Sequence, residues 1–113
     1  MKIDEMNPLT VNKVYFKLTS YKQVPKESGC YILSTFDNEV LYIGLSVNLH
    51  TRFMQHLDNP NKINPTSEGK AVWFNYLVYD KELLEKVERT WINQFVSKHG
   101  KLPILNKINS PVV

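Results

Sequence analysis

The chain has 113 residues, 42% of them hydrophobic and 12% aromatic. That predicts one packed α+β domain and excludes both two separate cores and a disordered chain. The formal net charge is +3 and the pI about 9.0, a balance compatible with nucleic acid as a partner; only Arg52 and Arg89 are arginines, so each says more than any one lysine about forked phosphate contacts.

No apolar run nears the roughly 18 residues of a membrane span. The start, MKIDEMNPLT, is too polar for a secretory leader. One cysteine, Cys30, forms no internal disulfide, and it suits a reducing interior. Histidines at 50, 56 and 99 lack zinc-site spacing. A cytoplasmic protein without a membrane partner is expected.

Residues 1–28 read as an N-terminal extension of the same unit, in which 11–18 fits either a strand or a helix. Pro25 and Gly29 bracket a turn before the first strand, 30–36, which is β-branched and aromatic. A second strand spans 39–45, and Asp37-Asn38 between them is turn chemistry. A loop of two or four residues places Tyr31 opposite Gly44 and Leu33 opposite Tyr42. All four side chains then share one face, with open space at Gly44 beside Tyr31. A three-residue loop would move one strand's side chains to the other face.

Ser46 is the expected N-cap of a helix running to Leu57, with Leu49, Phe53 and Leu57 as its apolar stripe and Arg52 and His56 stacked beside it. The stretch NPNKINPTSEGK, 59–70, reads as a long loop. A third strand follows at 71–79. Asp80 is then the expected cap of a helix from 81 to 99, stopped by Gly100 and Pro103. The order ββα-β-α predicts a small three-stranded β-sheet flanked by helices, with 107–113 as a C-terminal tail.

On the last helix, Leu84, Val87, Trp91 and Phe95 form the apolar arc, and Glu88 falls at its edge. A carboxylate turned toward a core costs several kcal/mol unless it is paired or binds a metal. The plainer reading is a boundary glutamate whose head reaches water or a lysine. Arg52 and His56, taken alone, read as surface residues of an amphipathic helix. Tyr31 and Tyr42 read as strand aromatics, and Asn106 as a turn former.

Taken together, these residues resemble a known family. Gly29-Cys30-Tyr31 and Tyr42-Ile43-Gly44 are similar to the two motifs that give GIY-YIG nuclease domains their name, and VPKESGCYIL resembles the usual lead-in. LSVNLHTRFMQH resembles the family's helix segment, with Ser46, Asn48, Leu49, Arg52 and His56 at its spacing. LEKVERTWI resembles the helix carrying the family's metal-binding glutamate, here Glu88, and KLPILN the closing Pro-x-x-Asn, here Asn106. The resemblance covers about residues 24–106. Two positions depart from it: Cys30 stands at a small apolar position, and Leu45 where a lysine or polar residue is common.

The resemblance implies a metal-dependent DNA endonuclease. Glu88 would hold Mg²⁺ (or Mn²⁺), since magnesium keeps several waters and needs few protein ligands. Arg52 would meet the non-bridging oxygens. Tyr31 would activate the attacking water, or His56 would act as base directly or take the proton from Tyr31; both routes stay open at this stage. Tyr42 would orient the water or Tyr31, and Asn106 would tie the tail to the site. Gly44 and Ser46 line the approach of substrate. DNA contacts would come from Lys13, Lys17, Lys22, Lys62 and Lys70. A monomer would nick, while a homodimer could cut both strands. Restriction, phage and mobile-element settings all fit the resemblance. The contrasting reading is a non-catalytic nucleic-acid-binding module, or a subunit of a larger nuclease complex, on the same fold.

Overall fold

The computed structural model describes residues 1–106; the tail at 107–113 lies outside the described residues. The fold is α+β, but its antiparallel sheet has four strands where the sequence predicts three. The extra strand, β1 (Asn12–Tyr15), comes from the ambiguous N-terminal stretch and pairs with β4 (Trp73–Val78), Val14 lying opposite Phe74. Only Val14 of its four residues is buried, so its pattern is too short to read without the partner strand. The segment after it, Leu18–Gln23, is a 3₁₀ helix.

The sheet order is β1-β4-β2-β3, where β2 is Gly29–Ser34 and β3 is Val40–Ser46. Every residue of β2 is buried, because helices cover both faces of the sheet. On one face lies α1 (Leu49–Leu57), whose Leu49 and Phe53 join Tyr31, Leu33, Phe74 and Tyr76 in one core. On the other lies α3 (Leu84–His99), whose Leu84, Val87, Trp91 and Phe95 pack on Cys30, Ile32 and Ile43. The N-terminal segment closes that second core through Met6, and Trp91 Nε1 donates to the Pro8 carbonyl at 2.8 Å.

The hairpin between β2 and β3 reaches the expected register by an unexpected route. Tyr31 pairs with Gly44 and Leu33 with Tyr42. Five residues, 35–39, separate the strands, and Thr35 and Glu39 close a three-residue turn: Thr35 N donates to Glu39 O, Asn38 N donates to Thr35 O, and Asn38 takes φ 70°. This is a tight turn followed by a left-handed residue, a geometry Asn tolerates. Its odd length would invert the faces, but the register shifts by one between Leu33 and Ser34, where Ser34 pairs with Val40. That bulge restores the parity.

The helix starts also move. Asn48, not Ser46, caps α1, its side chain accepting from Thr51 N at 3.0 Å. Ser46 shapes the preceding turn: its Oγ donates to Asn48 O at 2.8 Å and accepts from Asn48 N at 3.0 Å. Asp80 makes no side-chain cap. A 3₁₀ turn at Lys81–Leu83 precedes α3, which begins at its first buried residue, Leu84, and ends at Gly100 with φ 74°. Within the 59–70 loop, Asn59 caps a single helical turn, α2 (Pro60–Ile63).

Candidate active site

Strands β2 and β3 carry the two tyrosines, and α1 carries Arg52 and His56 one turn apart. The helix packs its Leu49 and Phe53 into the Tyr31 face of the sheet, and this brings His56 over the tyrosines. Tyr31 Oη lies 2.6 Å from His56 Nε2. The His56 ring sits 5.5 Å from that of Tyr31 and 5.3 Å from that of Tyr42, and the two tyrosine rings are 6.0 Å apart. Three polar aromatic side chains thus form one cluster at the end of an otherwise apolar core.

Burial sets the chemistry of this cluster. It pushes the Tyr31 hydroxyl pKa well above the usual phenol range, with the nearby Tyr42 adding to the effect and Arg52 opposing it. It raises Tyr42 as well, against the pull of the Tyr31 hydroxyl and Arg52. It lowers His56 to about 3, helped by the positive charges of Lys62 and Arg52. At neutral pH both phenols are therefore protonated and His56 is an uncharged imidazole. In the tautomer with its proton on Nδ1, His56 accepts from Tyr31 through Nε2.

Tyr31 is fully buried. The tyrosine that faces solvent is Tyr42, in an open cleft of about 490 Å³ lined by Tyr42, Gly44, Leu45, Arg52, Glu85, Glu88 and Arg89. Gly44 is the hinge between cluster and cleft. A Cβ there would sit 2.6 Å from Tyr31 Oη and 2.9 Å from Tyr42 Cε2. The space expected to be open beside Gly44 is filled by the end of the Tyr31 ring, so the glycine is what lets that phenol lie against β3.

Across the cleft, α3 presents Glu88, half-buried at the edge of the buried arc. Its carboxyl pKa is raised, chiefly by burial, then by Glu85 one turn back, with Arg89 opposing. Among the described residues, all four ion pairs lie elsewhere and involve none of Arg52, Glu85, Glu88 or Arg89. No cluster of three or more His, Cys, Asp or Glu suited to a metal occurs among the described residues. A single half-buried carboxylate without a cationic partner, open to a wet cleft, is the donor chemistry that suits a hard, largely hydrated divalent ion.

The remaining sequence-predicted residues are placed differently. Asn106 spends both ends of its amide on the edge strand: Oδ1 accepts from Ile43 N and Nδ2 donates to Ile43 O, each at 2.9 Å. Lys62 is only 7% exposed, with Nζ 4.8 Å from the Tyr42 ring centre. Lys70 is exposed, and Ser46 is buried in the turn before α1. Arg89 also lines the cleft, as does Glu85, which lies further off the apolar arc than Glu88 and is the weaker carboxylate candidate by sequence. The scarcity of arginine was the available signal for Arg89. Of the two departures, Cys30 is a core residue, its thiol donating toward Leu84 O at 3.4 Å and its pKa raised to about 12 by burial and by Glu88, so it is inert. Leu45 lines the cleft while also packing on the α3 core.

The fold agrees with the comparisons to known proteins. A family model described as the GIY-YIG catalytic domain matches residues 27–101, and the chain belongs to that family, a class of endonuclease domains. It is similar to the UvrABC system protein C of Prochlorococcus marinus (strain MIT 9312), 34% identical over 61 residues that make up 47% of this chain and 9% of that protein. It is likewise similar to the UvrABC system protein C of Alkaliphilus metalliredigens (strain QYMF), 29% identical over 65 residues, 55% of this chain and 10% of that protein. The chain thus covers about a tenth of the length of these relatives. Among solved structures, the GIY-YIG N-terminal endonuclease domain of UvrC from Thermotoga maritima, a point mutant bound to its catalytic divalent cation, matches with a TM-score of 0.52 at 18% identity. That match covers 77% of this chain and 90% of the other, and the likeness is one of fold.

Proposed function

We propose that the chain is a divalent-metal-dependent DNA endonuclease that hydrolyses one phosphodiester bond per encounter and so nicks duplex DNA. The observation that carries this reading is the 2.6 Å contact between Tyr31 and an uncharged His56, set directly behind a cleft that offers two arginines and an unpaired carboxylate. A proton acceptor, cations for phosphate oxygens and a metal ligand are the three requirements of the reaction, and here they meet across one edge strand.

In this reading His56 is the final proton acceptor. Tyr31 passes its proton to His56 Nε2 and takes one from Tyr42, which takes one from the attacking water; both phenols end neutral, the water becomes the hydroxide nucleophile and His56 ends as imidazolium. Tyr42, the phenol on the cleft, orients the water; Arg52 and Arg89 hold the non-bridging oxygens. Glu88 would hold Mg²⁺ or Mn²⁺, which when bound supplies charge stabilisation for the phosphate and its leaving oxygen. Gly44 forms part of the wall by which the backbone of the DNA enters, and Ser46 holds the turn that sets α1 beside it. Asn106 keeps the edge of β3 rigid beneath Tyr42. Lys70, with Lys13, Lys17 and Lys22, supplies salt-sensitive contacts to flanking phosphates. The buried thiol and the nucleic-acid substrate fit action inside the cell.

The divalent cation in the Thermotoga relative supports a metal requirement, and one active site per chain supports nicking by the monomer. The test is cleavage of a metal-loaded plasmid by the parent and by Tyr31→Phe. Removing only the hydroxyl should lower turnover by about 10²-fold or more with the fold intact; unchanged turnover would exclude the phenol from the proton path.

A further inference from the structure

Lys62 is the one lysine with most of its surface covered among the described residues, at 7% exposed; its ammonium makes no ion pair or hydrogen bond there and keeps contact with solvent, since no buried side-chain nitrogen among those residues lacks a partner. The covered part is the aliphatic stem. The lysine is also built in. Asn59 caps α2 with its side chain on Asn61 N, Pro60 occupies the first turn, and Asn59 N donates to His56 O at 3.1 Å. The helical turn is thereby locked to the end of α1 at His56 itself, and its Lys62 Nζ comes to rest 4.8 Å from the centre of the Tyr42 ring.

Lys62 is not among the residues that line the cleft, where Arg52 and Arg89 are the cations. The ammonium lies over the Tyr42 ring, and His56 packs edge-on to the same ring. The polar groups facing His56 are Tyr31 from β2, Tyr42 from β3, Arg52 from its own helix and Lys62 from α2. No carboxylate is among them.

We propose that Lys62 is a positioning residue of the catalytic cluster: its ammonium holds the Tyr42 ring against the Tyr31–His56 pair and opposes a second positive charge on the imidazole. A cation on a desolvated aromatic face is a favourable seat, and like charges in a partly buried site repel strongly enough to change which of them is protonated. The residue would thus lower further the pH at which His56 takes up a proton. Burial of the ring acts in the same direction and is the larger effect, with Lys62 the larger of the two charges. This role rests on the nuclease reading for its consequence in catalysis, but not for its electrostatics.

The test compares the full chain with Lys62→Met, which keeps the apolar stem and loses the charge, and with Lys62→Arg, which keeps the charge. NMR titration of the His56 ring in metal-free, DNA-free protein should show the midpoint rising in Lys62→Met by about half a pH unit or more and staying low in Lys62→Arg. The acid limb of the plasmid-nicking rate should move up in pH by the same amount in Lys62→Met only. A midpoint that stays put in Lys62→Met overturns the proposal. So does weakened DNA binding with both titration and limb unchanged, which would make Lys62 a phosphate contact. A uniformly slower Lys62→Met with an unmoved limb would make it merely structural. If Lys62→Met fails to fold, Lys62→Gln carries the same comparison. The ring titration reads Lys62 even if the parent cuts no DNA, so the two readings fail separately.

Discussion

At the scale of single residues, the site is assembled at some cost to stability. Glu88 is ionised less readily in the folded chain than in the unfolded one, because burial and Glu85 raise its pKa above 4.5. The folded state then binds more protons than the unfolded state, and stability is lost as pH rises through that range. Glu88→Gln should therefore melt higher than the parent at pH 7 while losing metal-dependent cleavage. Added Mg²⁺ should raise the melting temperature of the parent and not of Glu88→Gln. Calorimetry with and without the ion checks both.

His56 has the same sign of reasoning with the opposite shift. Its ordinary value of 6.5 falls to about 3 in the fold, so between those values the unfolded chain binds more protons. Stability is present above pH 6.5 and drains away as pH falls toward 3. His56→Gln cannot take up that proton, and the stability gap between parent and variant should narrow as pH is lowered through this window in urea titrations. Gly44→Ala forces a methyl group into the Tyr31 phenol, and a loss of about 1–3 kcal/mol is expected by the same measurement.

At the scale of elements, much was legible. The apolar arc of α3 is the set of residues that is buried, Glu88 included as its half-buried edge, because helical periodicity leaves few alternatives. The pairing of Tyr31 with Gly44 was also legible, though not its cause. The turn is odd, and only a bulge beside Ser34 restores the parity. A bulge depends on tertiary packing and leaves no local signature in 30–46. The caps were misplaced for a related reason: Ser46 and Asp80 are both good cap residues, and the choice of Asn48 and of Leu84 as helix starts is made by where the core begins. Strand β1 could not be read because its partner lies sixty residues away. Asn106, given as a tie for the tail, grips both backbone groups of Ile43. Asn106→Ala should cost about 1–2 kcal/mol from two unmade bonds and increase amide exchange along β3, measured by hydrogen–deuterium exchange.

At the scale of the molecule, the sheet separates two cores, and the cleft lies at the β3 edge, lined by Arg52 from α1 and by Glu85, Glu88 and Arg89 from α3. The family assignment was legible because the motif residues are spaced through most of the chain. The division of labour inside the site was not. Sequence order cannot tell that Tyr31 is sealed and Tyr42 faces the cleft, nor that Lys62 is drawn inside, since both depend on how α1 and α2 close over the sheet.

The central claim is metal-dependent DNA cleavage using Glu88 and the Tyr31–His56 pair. The most direct measurement is incubation of supercoiled plasmid with the parent chain and with Glu88→Ala, each in Mg²⁺ or Mn²⁺ and each with an EDTA control. The expected result is nicked circles from the parent only, and only with the divalent ion. An uncut plasmid in every parent reaction, or Glu88→Ala cutting as fast as the parent, would contradict it.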